Sequence, residues 1–175
     1  ARRASPPLSY GSIGNGSQHQ LAMEMLKSRA GINLLHIPYK GGGPAMVALF
    51  AGEVPMMFGG SSAAPHVRSG KLRALALAGR RNDAYPGLPA LSEFYPGLEV
   101  NPWLGLFAPA SLPPQVLNRL RAETGRLLAD PATLARIRGI ALDPFVTTPK
   151  EFSEVIRADY EKFGEVIRAV GVKVD

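Results

Sequence analysis

Glycine-rich loops follow two candidate strands near the start of the chain, and each loop leads into a candidate helix. The first glycine loop (residues 14–17) reads Gly-Asn-Gly-Ser, and the second (residues 40–43) reads Lys-Gly-Gly-Gly. Glycines leave the backbone N–H groups at a helix start open to an anion, because no side chain blocks the approach. Loops that follow parallel strands meet at one edge of a sheet. The pair therefore predicts one wall of a cleft that holds a small carboxylate or phosphate.

The residues expected to contact a ligand lie in and beside these loops. Backbone N–H donation is the predicted role of the glycines, Ser17 adds a hydroxyl, and Lys40 is either a ligand contact or a solvated strand end. Tight turns use glycine whether or not a ligand is present, so the argument depends on the two loops occurring together. The predicted ligand-binding residues are Gly14, Asn15, Gly16, Ser17, Lys40, Gly41, Gly42 and Gly59.

These motifs do not indicate enzyme chemistry. A phosphate-binding P-loop places its lysine after the glycines, whereas Lys40 precedes them. The run from Gly14 to Gly16 lacks the third glycine of a dinucleotide-binding fingerprint. Ser17 and His19 lie outside any nucleophile elbow of a hydrolase, and Ser17 is explained as a helix cap. The sequence therefore predicts a protein that is not an enzyme and that uses no cofactor.

Composition and charge argue against several further classes of function. The chain has 175 residues, no cysteine and a formal net charge of +6. Its basic residues are spread out without interleaved aromatic residues, so nucleic acid is not an expected partner. The three histidines lie far apart with no carboxylate at metal-ligand spacing, which predicts no metal site. No apolar run is long enough for a membrane span, and residues 1–7 lack the apolar centre of a signal peptide.

The elements that must position the loops alternate between strand and helix in the first half. Apolar runs predict strands over residues 8–11, 34–39, 54–58 and 72–78. Between them, helices are expected over residues 18–30, from Pro44 to the residue before Gly52, and briefly up to Ser69. Ser17 and Gln20 have the spacing of a capping box. This alternation predicts a largely parallel α/β sheet.

The second half is predicted to be extended at first and then helical. An extended segment is expected over residues 100–109, a helix from Pro113 or Pro114, and another after Asp130. Thr148 and Glu151 form a second capping box, which begins a long helix with one apolar stripe. The stripe consists of Phe152, Val155, Ile156, Tyr160, Phe163, Val166, Ile167 and Val170.

Five strings spread over the chain, at residues 9–19, 36–45, 52–58, 65–76 and 103–110, carry a likeness to a known family. The chain resembles the Bug-type (TctC-like) extracytoplasmic solute receptors of tripartite tricarboxylate transporters. The resemblance implies an α/β fold that is periplasmic-binding-protein-like, of type II. It implies one α/β domain over residues 1–99, the receptor's second domain, whose start is missing. Residues 100–175 would supply the crossover strand and the helical C-terminal elements that belong to or contact the first domain.

The same resemblance implies a function in solute uptake. The protein would be a periplasmic receptor that closes on a small organic acid, a carboxylate or dicarboxylate, and delivers it to a membrane permease. The chain lacks the upstream domain of such receptors and does not begin with Met, so it is expected to be an incomplete receptor. Exposed C-terminal helices would then favour a homo-oligomer. The alternative is a ligand-sensing module that uses the same receptor fold in signalling rather than uptake.

Overall fold

The structure is a computed structural model that describes residues 1–81, 85–140 and 142–172. Short 3₁₀ turns lie at Ser61–Ala63 and Leu91–Glu93. None of the helices in the described ranges combines the length and apolarity that a membrane crossing requires. The strands and helices, in chain order, are β1 (Leu8–Ser12), α1 (Gln18–Ala30), β2 (Leu34–Pro38), α2 (Gly42–Ala51), α3 (Ala64–Arg68), α4 (Pro114–Ala129), α5 (Pro131–Gly139) and α6 (Pro149–Val170).

The first three elements form a β–α–β unit in which the strands are parallel neighbours. Leu8 lies opposite Leu34, and Ser12 lies opposite Pro38 at the other end of the pair. α1 is the crossover, because parallel strands need a long connection between them. It ends at Gly31, whose φ of 60° is left-handed and favours glycine. These elements confirm the sequence prediction to within one residue at each end.

Two predicted strands are not formed, so the prediction of a larger parallel sheet is wrong for the described residues. Residues 54–58 make a single parallel bridge, Met57 with Gly11, and Pro55 has no N–H group to continue a ladder. Residues 72–78 likewise make one bridge, Leu77 with Ala90, next to Pro89. The sheet among the described residues is thus two-stranded, with an extended segment beside β1.

α2 begins two residues earlier than the sequence predicts. Gly41, with a φ of 100°, precedes the first helical residue, so Gly42 and Gly43 lie inside the helix and Pro44 is its third residue. Proline is accepted there because the first N–H groups of a helix have no intrahelical partner. Two of the three glycines of the second loop therefore present helix-start N–H groups.

The helices of the second half form where the sequence predicts them. α4 begins at Pro114, and Asp130 both follows its end and accepts the backbone N–H of Thr133 at 2.8 Å to cap α5. Thr148 and Glu151 complete the reciprocal capping box of α6. Proline fits the first turn of all three helices because its fixed φ is helical and its missing N–H is not needed.

Among the described residues, the buried core lies in the first hundred positions. One cluster joins α1 to the segment around Leu98 and Val100, and Phe163 and Val166 of α6 pack against it. A second cluster joins Tyr10 of β1 to Met23 of α1. Among the described residues after Val100, none is buried. The division into domains at residue 99 stays a prediction. Part of the apolar stripe of α6 packs on the core, and Lys162 Nζ donates to the carbonyl of Glu99 at 3.2 Å.

Candidate functional site

The two glycine loops leave the same edge of the two-stranded sheet. They follow the C-terminal ends of β1 and β2, which lie opposite each other in the ladder. The N–H of Tyr39 donates to the carbonyl of Ser12 at 3.0 Å, and the N–H of Gly41 donates to the carbonyl of Ile13 at 3.2 Å. The structure therefore brings together the residues that the sequence singled out in both loops.

Three of the predicted backbone donors already have partners inside the protein. Gly14 N–H donates to Ser12 Oγ at 3.2 Å, and Gly16 N–H donates to Gln20 Oε1 at 2.7 Å. Gly41 N–H donates to Ile13, as described above. In this conformation the predicted donor role does not fit these three glycines, which shape the loops instead. It fits Gly42, an exposed residue whose N–H begins α2 and has no intrahelical partner.

Gly43 was missed by sequence reasoning and belongs to the same helix start. It is exposed, and its N–H also falls in the first turn of α2. The sequence placed the helix start at Pro44 and so left this glycine in the loop. The residue types gave no signal for this start, because the positive φ of Gly41 that precedes it is seen only in the structure.

Ser17 contributes to the loop differently from the prediction. Its hydroxyl donates to the carbonyl of Gly14 at 2.7 Å and accepts the N–H of Gln20 at 3.4 Å. The hydroxyl proton is therefore committed within the first loop. The predicted capping box is also incomplete, because the Gln20 side chain accepts from Gly16 and not from Ser17.

The other predicted site residues lie at the same edge, and two of them, Lys40 and Gly59, are exposed. Lys40 is exposed beside the start of α2, and Asn15 is partly buried at the tip of the first loop. Gly59 is exposed and lies two residues beyond Met57, which pairs in parallel with Gly11. A chain that runs parallel to β1 leaves the sheet at the end where β1 does, which places Gly59 on the loop side.

A half-buried histidine joins the two strands beneath the first loop. His36 Nε2 lies 2.6 Å from Ser12 Oγ, and His36 Nδ1 lies 3.1 Å from Gln20 Nε2. Its ring stacks on Tyr10 with the centroids 4.9 Å apart. Burial is the main reason that the pKa of His36 lies below its ordinary value. Sequence reasoning treated this histidine as structural, and it has a protein partner on each ring nitrogen.

Tyr10 anchors the same region from its other side. Its hydroxyl donates to Glu24 Oε1 at 2.6 Å, and Lys27 forms an ion pair with Glu24 at 2.8 Å. Burial, followed by the bond to Glu24, raises the pKa of Tyr10. Because Glu24 is buried, the hydroxyl and the ammonium group together supply the partners that its carboxylate needs.

Two concave surfaces of the described residues have no glycine-loop residue in their lining, although Gln18 of the first directly follows Ser17. One, of about 450 Å³, lies between Trp103 and α6 and is lined by Phe163, Arg168 and Gln18 among others. Another, of about 370 Å³, lies beside α3 near Arg68 and Tyr85. The described residues also contain no cluster of side chains able to hold a metal ion.

Comparison with known proteins gives a consistent family match. The model of the tripartite tricarboxylate transporter family receptor, TctC, matches residues 1–172. BugT from Bordetella pertussis is 32% identical over 162 residues, which cover 91% of this chain and 50% of BugT. The chain spans about half the length of this relative.

Solved structures share the fold. A periplasmic transporter aligns at 32% identity with a TM-score of 0.87, over 98% of this chain and 59% of that one. MatC from Rhodopseudomonas palustris with bound malate aligns at 26% identity and a TM-score of 0.77, over 91% and 56%. The R. palustris protein Rpa4515 with adipate shows the same fold at 24% identity and a TM-score of 0.87, over 98% and 59%.

Proposed function

Since the chain belongs to the tripartite tricarboxylate transporter receptor family, a family of periplasmic binding proteins, we propose that it binds a small organic acid. Receptors of this family are not enzymes. The two glycine loops would supply one wall of the site, and the ligand would be a carboxylate or dicarboxylate. The malate in MatC and the adipate in Rpa4515 support that ligand class.

The observation that carries this proposal is the position of the α2 start. Gly42 and Gly43 are exposed residues, and their helix-start N–H groups lie at the edge where both loops leave the sheet. Such groups attract a carboxylate because they lack intrahelical partners and lie at the positive end of the helix dipole. Lys40 adds an exposed cation on the same side. The first glycine loop would close the other flank of the ligand.

Delivery to a membrane permease is the corresponding role of the whole receptor. We propose that ligand shifts the receptor between open and closed arrangements, and that the closed one is presented to the permease. The family description, a transporter receptor, supports this step. A receptor of this kind needs a second wall opposite the glycine loops.

Isothermal titration with malate and adipate tests the proposed site. Gly42→Pro removes the N–H at the first helical position while keeping a residue that helix starts accept. Gly42→Ala keeps the N–H and is the matched control, since nothing lies within 4 Å of the added methyl group. A hydrogen bond to a charged group contributes about 1.5–3 kcal/mol, so the proline variant should bind roughly ten- to a hundredfold more weakly than the alanine variant.

Equal affinities in the two variants would contradict the proposed role of the α2 start. Thermal melts of both variants establish that the fold is retained. A neutral diamide of each acid is the ligand control, because it keeps the shape and lacks the charge. Binding of the diamide as tight as that of the acid would contradict carboxylate recognition.

A further inference from the structure

The first glycine loop is connected to β2 by a chain of side-chain contacts. Gln20 Oε1 accepts the N–H of Gly16 at 2.7 Å, and Gln20 Nε2 lies 3.1 Å from His36 Nδ1. His36 Nε2 lies 2.6 Å from Ser12 Oγ. Gln20 and Ser12 are both buried, so their polar atoms depend on protein partners rather than on water, while His36 and Gly16 are half-buried.

These contacts fix the protonation state that the chain of bonds requires. Because Gln20 Oε1 faces the Gly16 N–H, the NH₂ of the amide faces His36 and donates to Nδ1. Ser12 Oγ donates its proton to the carbonyl of Gly14 at 3.0 Å, so it accepts from His36 Nε2. Every donor has an acceptor only when the imidazole is neutral and carries its proton on Nε2.

We propose that Gln20 and His36 are positioning residues for the first glycine loop, and that protonation of His36 releases the loop at Gly16. An imidazolium carries a proton on Nδ1, which opposes the NH₂ of Gln20. If the amide turns to meet that proton, its NH₂ then opposes the N–H of Gly16. Either arrangement leaves two donors facing each other. That the released loop is a ligand loop rests on the proposed function.

The charges around His36 set the direction of its titration. Burial among β1 and α1 lowers its pKa, Glu24 on α1 raises it, and Lys27 on α1 lowers it. From β1 it meets the neutral ring of Tyr10 and the hydroxyl of Ser12. Because the folded chain holds His36 neutral more strongly than the unfolded chain does, its contribution to stability is lost as pH falls below the ordinary pKa of about 6.5.

Nuclear magnetic resonance of the ligand-free chain tests the proposal without reference to any ligand. Two-bond ¹H–¹⁵N spectra report the His36 tautomer, and the Gly16 amide reports the loop. We expect the Nε2–H tautomer at neutral pH. On acidification, the Gly16 amide should shift and lose protection against hydrogen exchange with the same midpoint as the His36 ring. The opposite tautomer would overturn the proposal. So would a Gly16 amide whose chemical shift and exchange protection do not change as His36 titrates.

Gln20→Glu provides a result that a merely structural role would not produce. The introduced carboxylate accepts from Gly16 and from a protonated Nδ1 together, so the His36 midpoint should rise by about one pH unit or more. The Gly16 amide should then stay protected through that titration. Gln18→Glu adds the same charge two residues earlier on α1 and is the matched control. Equal effects of the two variants would overturn the proposal, and the wild-type titration decides it if Gln20→Glu does not fold.

Malate titrations at pH values on either side of the His36 midpoint separate this proposal from the proposed function. If the Gly16 amide follows the His36 titration but malate does not bind, the positioning role of Gln20 and His36 stands and the proposed ligand site is contradicted. If malate binds but the Gly16 amide does not follow the His36 titration, the ligand site is supported and the positioning role of Gln20 and His36 is overturned.

Discussion

Gly14 has a backbone conformation that residues with a side chain rarely adopt. Its φ is +136°, and a Cβ there would lie 3.6 Å from the carbonyl oxygen of Tyr39. Space is therefore available, and the backbone angle is the obstacle. We expect Gly14→Ala to lower the free energy of unfolding by about 1–3 kcal/mol, measured by urea denaturation.

Gly43→Ala is the matched control for that substitution. Gly43 lies inside α2 with nothing within 4 Å of an added Cβ, so alanine should be neutral or stabilising by up to about 1 kcal/mol. If Gly14→Ala proved as harmless as Gly43→Ala, the loop backbone would not be constrained as the structure has it.

At the residue scale, the sequence predicts where the loops lie but not which of their backbone N–H groups already have hydrogen-bond partners inside the protein. The glycines of both loops were identifiable from their types and spacing. The two partners of the Gln20 side chain, Gly16 and His36, could not be identified in this way. His36 lies on β2, which comes close to Gln20 only after the two strands pair. Hydrogen bonds that cross between elements leave no trace in local spacing.

The long C-terminal helix depends on its start. In α6 the Thr148 N–H and hydroxyl lie 2.7 and 2.8 Å from Glu151 Oε2, and the Thr148 hydroxyl also accepts the Glu151 N–H at 3.3 Å. The pKa of Glu151 is lowered mainly by the bond from the Thr148 backbone, so this cap persists at moderately acid pH. We expect Thr148→Ala to reduce stability by about 0.5–2 kcal/mol.

The loss should be concentrated in α6, which hydrogen exchange of its amides would show. Thr147→Ala removes a neighbouring hydroxyl that is not part of the Thr148–Glu151 cap and is the control. Equal stability of the two variants would mean that the stability of α6 depends on its packing on α1 and not on its N-terminal cap.

Helices were easier to predict than strands, for a physical reason. A helix satisfies its own backbone, and its caps and apolar spacing are local, as for α1, α4 and α6. A strand needs a partner at the right distance. Residues 54–58 and 72–78 have apolar strand-like composition, yet each makes only one bridge, beside residues such as Pro55 and Pro89 that cannot donate.

At the scale of the whole molecule, burial and exposure are divided along the chain. The extended segment after Val100 exposes Leu104, Leu106 and Phe107 by 88, 70 and 63%. α4 adds exposed Val116, Leu120 and Leu127. Apolar surface of this extent marks an interaction surface or an aggregation hazard in soluble proteins.

We therefore expect the 175-residue chain to self-associate at micromolar concentration. Sedimentation velocity over a concentration series measures this, and replacing Leu104 and Leu106 with aspartate should shift the distribution toward monomer. Leu75→Asp is the control, because that exposed leucine lies outside the surface after Val100. A monomer at all concentrations would show that this surface does not drive association.

The central claim is that a small dicarboxylate binds where the two glycine loops meet the start of α2. Adding malate to the ¹⁵N-labelled chain and following every amide tests it most directly. We predict saturable shifts that are largest at Gly42 and Gly43 and extend into the first glycine loop, and none with the neutral diamide. Shifts centred on the cavity between Trp103 and α6, or no shifts with malate or adipate, would contradict the account.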